Sequence, residues 1–163
     1  MEEELHYFIG QAKSPYHCSV GVVLMNGKGE VCAHHYISAD GEKYAYSLMR
    51  ETMRPGESPE AAIARGLMKE FGATAEVERY LGSLTSHFTN WEGADIEKTT
   101  LYFLCRSEAI PMKKTVDEHH FDWVAEELVE WMPIRELIEK MKRQKKLVTR
   151  SDFEEAEILE RAV

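Results

Sequence analysis

No stretch of the 163-residue chain approaches the run of about 18 apolar residues that a helix needs to cross a bilayer. The opening residues, MEEELHYFIG, are acidic where a secretory leader is basic, and no apolar core follows them, so a cytoplasmic location without membrane attachment is expected. Proline is sparse, at 5 residues, and no Pro/Ser-rich linker or internal repeat divides the chain. It therefore reads as a single domain over residues 1–163, long enough to bury roughly 70% of the surface its unfolded form exposes. Cysteine occurs only at Cys18, Cys32 and Cys105; an odd count, wide spacing and apolar surroundings argue for free thiols rather than a disulfide framework or zinc site. Basic charge is in deficit: 20 Lys and Arg against 29 Asp and Glu leave a formal net charge of -9. That balance disfavours an extended nucleic-acid partner, whose phosphates need clustered cations. The one basic run, KMKRQKK at Lys140–Lys146, reads as a solvated helix end.

What is present is alternation. CSVGVVLM, the turn NGKG and EVCAHHYIS read as a β-hairpin, and YAYSLM as a further strand. Ser58 is a good N-cap, Pro59 suits the first helical position, and Gly72 fits a left-handed C-terminal residue, so a helix is predicted over Pro59–Phe71. Ile63, Leu67 and Phe71 would face the core. TAEVERYLGSLTSHF and KTTLYFLCR read as strands, residues 107–127 as an acidic surface loop, and LVEWM as a short strand. Pro133 then opens a helix with Ile134, Leu137, Ile138 and Met141 on one face, and Ser151 with Glu154 forms a capping box for a last helix ending near Ala162. Strands interrupted by one helix and followed by others imply an α/β fold, a sheet with helices packed on its faces.

Glu57, Arg65, Leu67, Glu70 and Gly72, preceded by PGES at Pro55–Ser58, fall in register with the pattern G-x5-E-x7-R-E-U-x-E-E-x-G-U, where U is bulky and apolar. On these residues the chain resembles the Nudix hydrolases, over nearly its whole length. KTTLYFL, VEWMPIREL and FEEAEILERA look like the corresponding segments of the branch acting on dinucleoside polyphosphates. The resemblance implies an α/β/α sandwich with a mixed central sheet and the signature helix packed on it. It also implies cleavage of nucleoside diphosphate-linked compounds by a water bound to Mg2+ or Mn2+, and relatives that often dimerise.

Such chemistry needs clustered carboxylates, because magnesium takes oxygen ligands. The three glutamate places of R-E-U-x-E-E are here Gly66, Lys69 and Glu70. A lysine ammonium some 5 Å from a divalent ion opposes binding by roughly 6 kcal/mol at an effective dielectric near 20, unless the side chain swings away. Where the family has a glycine before the signature stands Glu51, which removes that freedom and offers a replacement carboxylate. Glycine inside a helix costs about 1 kcal/mol relative to alanine, so Gly66 reflects either a close approach by a neighbour or a catalytic glutamate no longer selected. Glu57 and Arg65 act in catalysis or as an ion pair stabilising the loop-helix-loop. Glu126 or Glu127 is the best-placed acid from the later loop, ahead of Glu118 and Glu130. DEHH at Asp117–His120 reads as solvated. Of His34 and His35, one faces the core or a ligand cleft, and His87, Phe88 and Trp91 are candidates for stacking a base.

The candidate catalytic set is thus Glu57, Arg65, Glu70, Glu126 and Glu127, with Glu70, Glu57 and Glu51 as candidate metal ligands. Two functions follow. The first is a protein with an eroded metal site that binds a nucleotide or other small phosphorylated ligand, or serves as an interaction module. The second is an active metal-dependent hydrolase working through a reorganised site. An RNA-binding role fits the acid excess less well.

Overall fold

Twelve short elements follow one another in the computed structural model, which describes residues 8–11, 14–90, 93–112, 121–148 and 150–163. They are β1 (Phe8–Gln11), β2 (Ser14–Met25), β3 (Glu30–Ser38), β4 (Tyr44–Ser47), β5 (Met49–Thr52), α1 (Pro59–Phe71), β6 (Glu76–Thr89), β7 (Asp95–Arg106), β8 (Val124–Pro133), α2 (Ile134–Gln144), a 3-10 turn (Ser151–Phe153) and α3 (Ala156–Glu160). The sheet runs β4-β3-β2-β7-β6, with β1 and β5 also on β2 and β8 on β3. Among the described residues, β2 and β7 pair in parallel and the other strand pairs are antiparallel, so the sheet is mixed.

Local chemistry accounts for the elements that carry the site. Asn26 Oδ1 accepts from the backbone N–H groups of Lys28 and Glu30, and Gly29 takes φ 76, which closes the β2–β3 turn. Ser58 accepts from Ala61 N–H, Pro59 occupies the first helical turn, and Gly72 at φ 64 ends α1. There Gly72 N–H donates to Met68 O and Ala73 N–H to Leu67 O, the paired bonds that satisfy the last carbonyls.

The YAYSLM segment is not one strand. It breaks at Leu48: β4 pairs with β3, while β5 crosses to pair with β2. Leu48 points into the core, and its N–H donates to Glu155 Oε1 instead of to a strand partner. That crossing delivers Glu51 and Arg50 to opposite faces.

Helices cover both faces, giving an α/β/α sandwich. One face packs Val20, Val22, Leu24 and Met49 against Ala62, Ile63, Leu67 and Phe71 of α1. The other packs Val23, Leu81 and Leu104 against Leu137, Met141, Ile158 and Leu159 of α2 and α3. No described helix is long and apolar enough to cross a membrane.

Two expectations need correction. Residues 124–127 are not loop: β8 begins at Val124 and pairs along β3, and Val124 buries its side chain with Tyr36, Ala45 and Phe153. The Ser151–Glu154 capping box does not form. Ser151 Oγ is engaged with the backbone of His87, Glu154 pairs with Lys145, and α3 starts only at Ala156.

Candidate functional site

Five of the six acids and cations singled out above meet on the α1 face, and each is already paired. Arg65 donates from Nε to Glu57 Oε1 and from Nη2 to Glu57 Oε2, both at 2.9 Å. The same guanidinium donates to Glu51 Oε1 at 2.7 Å and to Thr52 O at 2.9 Å. A planar fork held bidentately on one side and by two acceptors on the other has little freedom left. Glu57 also accepts from Arg54 N–H, and the Arg65 hydrogen bond holds its carboxyl down at about 2.

Glu51 is 5% exposed and has Lys69 Nζ at 3.7 Å from its second oxygen. The lysine thus lies along the acid cluster, with its chain largely in solvent. Gly66 has its explanation beside it. A β-carbon at position 66 would stand 2.8 Å from Glu51 Cβ and 2.8 Å from Met49 Sδ. Glycine there is the condition for β5 to lie against α1 with a glutamate at 51, so the close approach comes from a strand.

Glu70 and Glu127 hold a different cation-forming group. His34, 3% exposed on β3, brings Nε2 to 2.6 Å from Glu70 Oε2 and Nδ1 to 3.1 Å from Glu127 Oε1. Its ring also lies 5.1 Å from that of Phe71. Glu127 is buried, whereas Glu126 points to the opposite, exposed side of β8. The strand pleat thereby separates two residues that the chain order leaves equivalent.

His35 faces away from the cluster, stacked on Tyr46 and 3.0 Å from Glu130 Oε1. Asp117–His120, with Glu118, and Trp91 lie outside the described residues. Cys32 and Cys105 are buried free thiols, each pushed up to about 12 by burial, and Cys18 is half-buried.

The donor set does not fit a magnesium-type ion as it stands. Oxygen ligands must converge on a common point, yet Glu70 and Glu127 face an imidazole placed between them, and Glu51 and Glu57 face a guanidinium. Among the described residues no group of three or more His, Cys, Asp or Glu side chains is placed to hold a metal ion. A groove of about 340 Å³ between β6, α2 and α3 lies elsewhere, lined by Leu84, Met141, Ser151 and Glu157 among others.

Sequence reasoning did not foresee His34 as the bridge between Glu70 and Glu127. The available signal was its alternate position with Cys32 and Tyr36 on an inward strand face. Nor did it foresee the buried network in which Arg50 meets Asp152 and Glu155.

The NUDIX domain model matches residues 15–151. The chain belongs to the Nudix family. It is similar to the RNA pyrophosphohydrolase of Roseobacter denitrificans, with 25% identity over 140 residues, covering 80% of this chain and 84% of that protein. Among solved structures, a NUDIX hydrolase from Nitrosomonas europaea matches with a TM-score of 0.46 and 18% identity, covering 77% of this chain and 78% of that one.

Proposed function

We propose that this Nudix protein binds a nucleotide or other small phosphorylated ligand and has weak or no pyrophosphohydrolase activity. One observation carries the reading: the acids left in and around the signature helix already have basic partners within the chain. Arg65 takes Glu51 and Glu57, His34 lies between Glu70 and Glu127, and Lys69 adds its charge beside Glu51. A divalent ion would have to displace these partners, and the half-buried Arg65 guanidinium would lose both of its carboxylates.

In this role Arg65 and Glu57 are structural. They lock the loop before α1 to the helix, and Thr52 O ties the same guanidinium to β5. Glu126, pointing to solvent, has no part in the cluster. We place the function in a single domain in the cytoplasm.

The second reading, an active hydrolase with a reorganised site, draws on Glu51. Its carboxylate enters the cluster where Gly66 leaves room, so an acid lost from the helix is replaced from the strand. The experiment is turnover of dinucleoside polyphosphates, nucleotide sugars, nucleoside triphosphates and 5'-triphosphorylated RNA with Mg2+ or Mn2+. Phosphate release at background supports the binding reading. Metal-dependent release that disappears in Glu70→Gln overturns it in favour of the hydrolase.

A further inference from the structure

Across the sheet from the acid cluster lies a second polar assembly. β2 pairs in register with β7 and β5, so that His17 stands beside Lys98, Ser19 beside Thr100 and Thr52, and Gly21 beside Tyr102 and Arg50. By the strand alternation these residues share one face, the one opposite Glu51. The ring of Tyr102 lies directly over Gly21, where any β-carbon would collide with it.

The 3-10 turn and the start of α3 cover this face with two acids, and both are already satisfied. Asp152 accepts from Arg150 Nε at 3.0 Å and Nη2 at 2.7 Å, and lies 3.2 Å from Arg50 Nη1. Glu155, fully buried, accepts from Tyr102 Oη and from Leu48 N–H, with Arg50 Nε at 4.0 Å. Lys98, the third cation, is left without an ion pair or side-chain hydrogen bond among the described residues. Three cations against two acids leave an excess of one positive charge.

Ser19 provides an independent sign of the same deficit. It is 0% exposed, and its Oγ has no hydrogen-bond partner among the described residues. A buried hydroxyl without a protein partner is uncommon in folded proteins. An ammonium and a hydroxyl, both unmatched, thus stand on adjacent strands of one face.

We propose that this face is a binding site for a phosphate-type oxyanion, with Lys98 supplying charge, Ser19 a hydroxyl, and Arg50 and Arg150 the surrounding positive field. Lys98 remains partly open to solvent. Arg150 closes the outer side, its guanidinium carbon 4.2 Å from the centre of the Phe88 ring. Burial, with Arg50 adding to it, holds the Lys98 ammonium down at about 8, the condition of a cation lacking its counter-ion. The site shares no residue with the acid cluster and needs no metal.

The test is calorimetric titration of the full chain with inorganic phosphate, and separately with a nucleoside monophosphate, in EDTA at constant ionic strength with chloride as the control anion. Saturable binding is expected, weakened about tenfold or more in Lys98→Met and less in Ser19→Ala. In parallel, wild-type protein is acylated with a limiting amine reagent and its peptides are weighed. Lys98 labelling should fall as phosphate is added, while surface lysines are unaffected.

Tighter binding of the monophosphate assigns the site to the phosphoryl end of a nucleotide, and equal binding assigns it to the free ion. No saturable binding, or labelling of Lys98 indifferent to phosphate, overturns the proposal even where Lys98→Met fails to fold. Because no arm reads hydrolysis, either result leaves the reading of the acid cluster untouched.

Discussion

The space beside Gly66 is the feature of the cluster easiest to test by substitution. In Gly66→Ala the new β-carbon would sit 2.8 Å from Glu51 Cβ and Met49 Sδ and 3.1 Å from Met49 Cε. Glu51 Cβ is fixed to the strand backbone and cannot rotate aside, and Met49 is 0% exposed. Overpacking of this kind costs about 1–3 kcal/mol, against which removing a helical glycine returns about 1 kcal/mol. A net loss of up to about 2 kcal/mol follows, or up to roughly 4–8 °C in melting temperature for a domain of this size. Gly66→Glu should lose more, since it adds a second carboxylate beside Glu51. The decisive variant is the exchange Glu51→Gly with Gly66→Glu, which returns a glutamate to the helix and clears the space for it. A double-mutant cycle by urea denaturation should give a favourable coupling of about 1–3 kcal/mol between the two positions. Were Gly66→Ala more stable than wild type by the full helix gain of about 1 kcal/mol, or the coupling near zero, the glycine would be an unselected vacancy and the packing argument wrong.

Three further outcomes follow from the same geometry. His34→Ala withdraws the imidazole between Glu70 and Glu127 and should destabilise the metal-free protein by about 3 kcal/mol; millimolar Mn2+ should then raise its melting temperature more than that of wild type, and an equal response in both would count against internal neutralisation. Glu57 has a folded value depressed from 4.5 to about 2, so its contribution is present above pH 4.5 and is lost as pH falls towards 2. Glu57→Gln should accordingly flatten the acid side of the stability profile, and an unchanged slope would remove the Arg65 pair from the account. Lys98, with its ammonium lowered from 10.5 to about 8, binds fewer protons folded than unfolded between those values. Wild-type stability in phosphate-free buffer should therefore rise with pH from 8 to 10.5, by at most about 3 kcal/mol, and Lys98→Met should abolish that rise.

How much of this was legible in the sequence depended on how local each signal was. α1 was readable end to end because Ser58, Pro59 and Gly72 act within one turn of the residues they cap, and its buried side because Ile63, Leu67 and Phe71 repeat at helical spacing. The break at Leu48 was not readable. It depends on Glu155, 107 positions away, taking the N–H that a strand partner would otherwise take. Glu126 and Glu127 were indistinguishable until β8 was seen to pair with β3, because a pleat separates neighbours only once a strand exists. His34 belonged to a pair whose inward member was undetermined, and its two carboxylates come from α1 and β8, far apart in the chain. Ser151 and Glu154 match a capping pattern, yet the hydroxyl finds the His87 backbone instead, a tertiary partner that a local pattern does not contain.

A single strand explains why the two charged assemblies coexist. β5 is only four residues long, but it carries Glu51 towards α1 and Arg50 towards α3, so its pleat sorts an acid and a base to opposite faces of the sheet. On the α1 face the acids have acquired cations, and the cluster is closed. On the other face the acids have acquired more cations than they neutralise, and the unmatched groups are Lys98 and Ser19. Within one domain, then, the acids of the α1 face are hydrogen-bonded to basic partners, while on the other face a lysine and a hydroxyl are left unmatched. Titrations of phosphate and of Mn2+ on the same sample would separate the two demands, and tight Mn2+ binding to wild type together with indifference to phosphate would reverse the assignment.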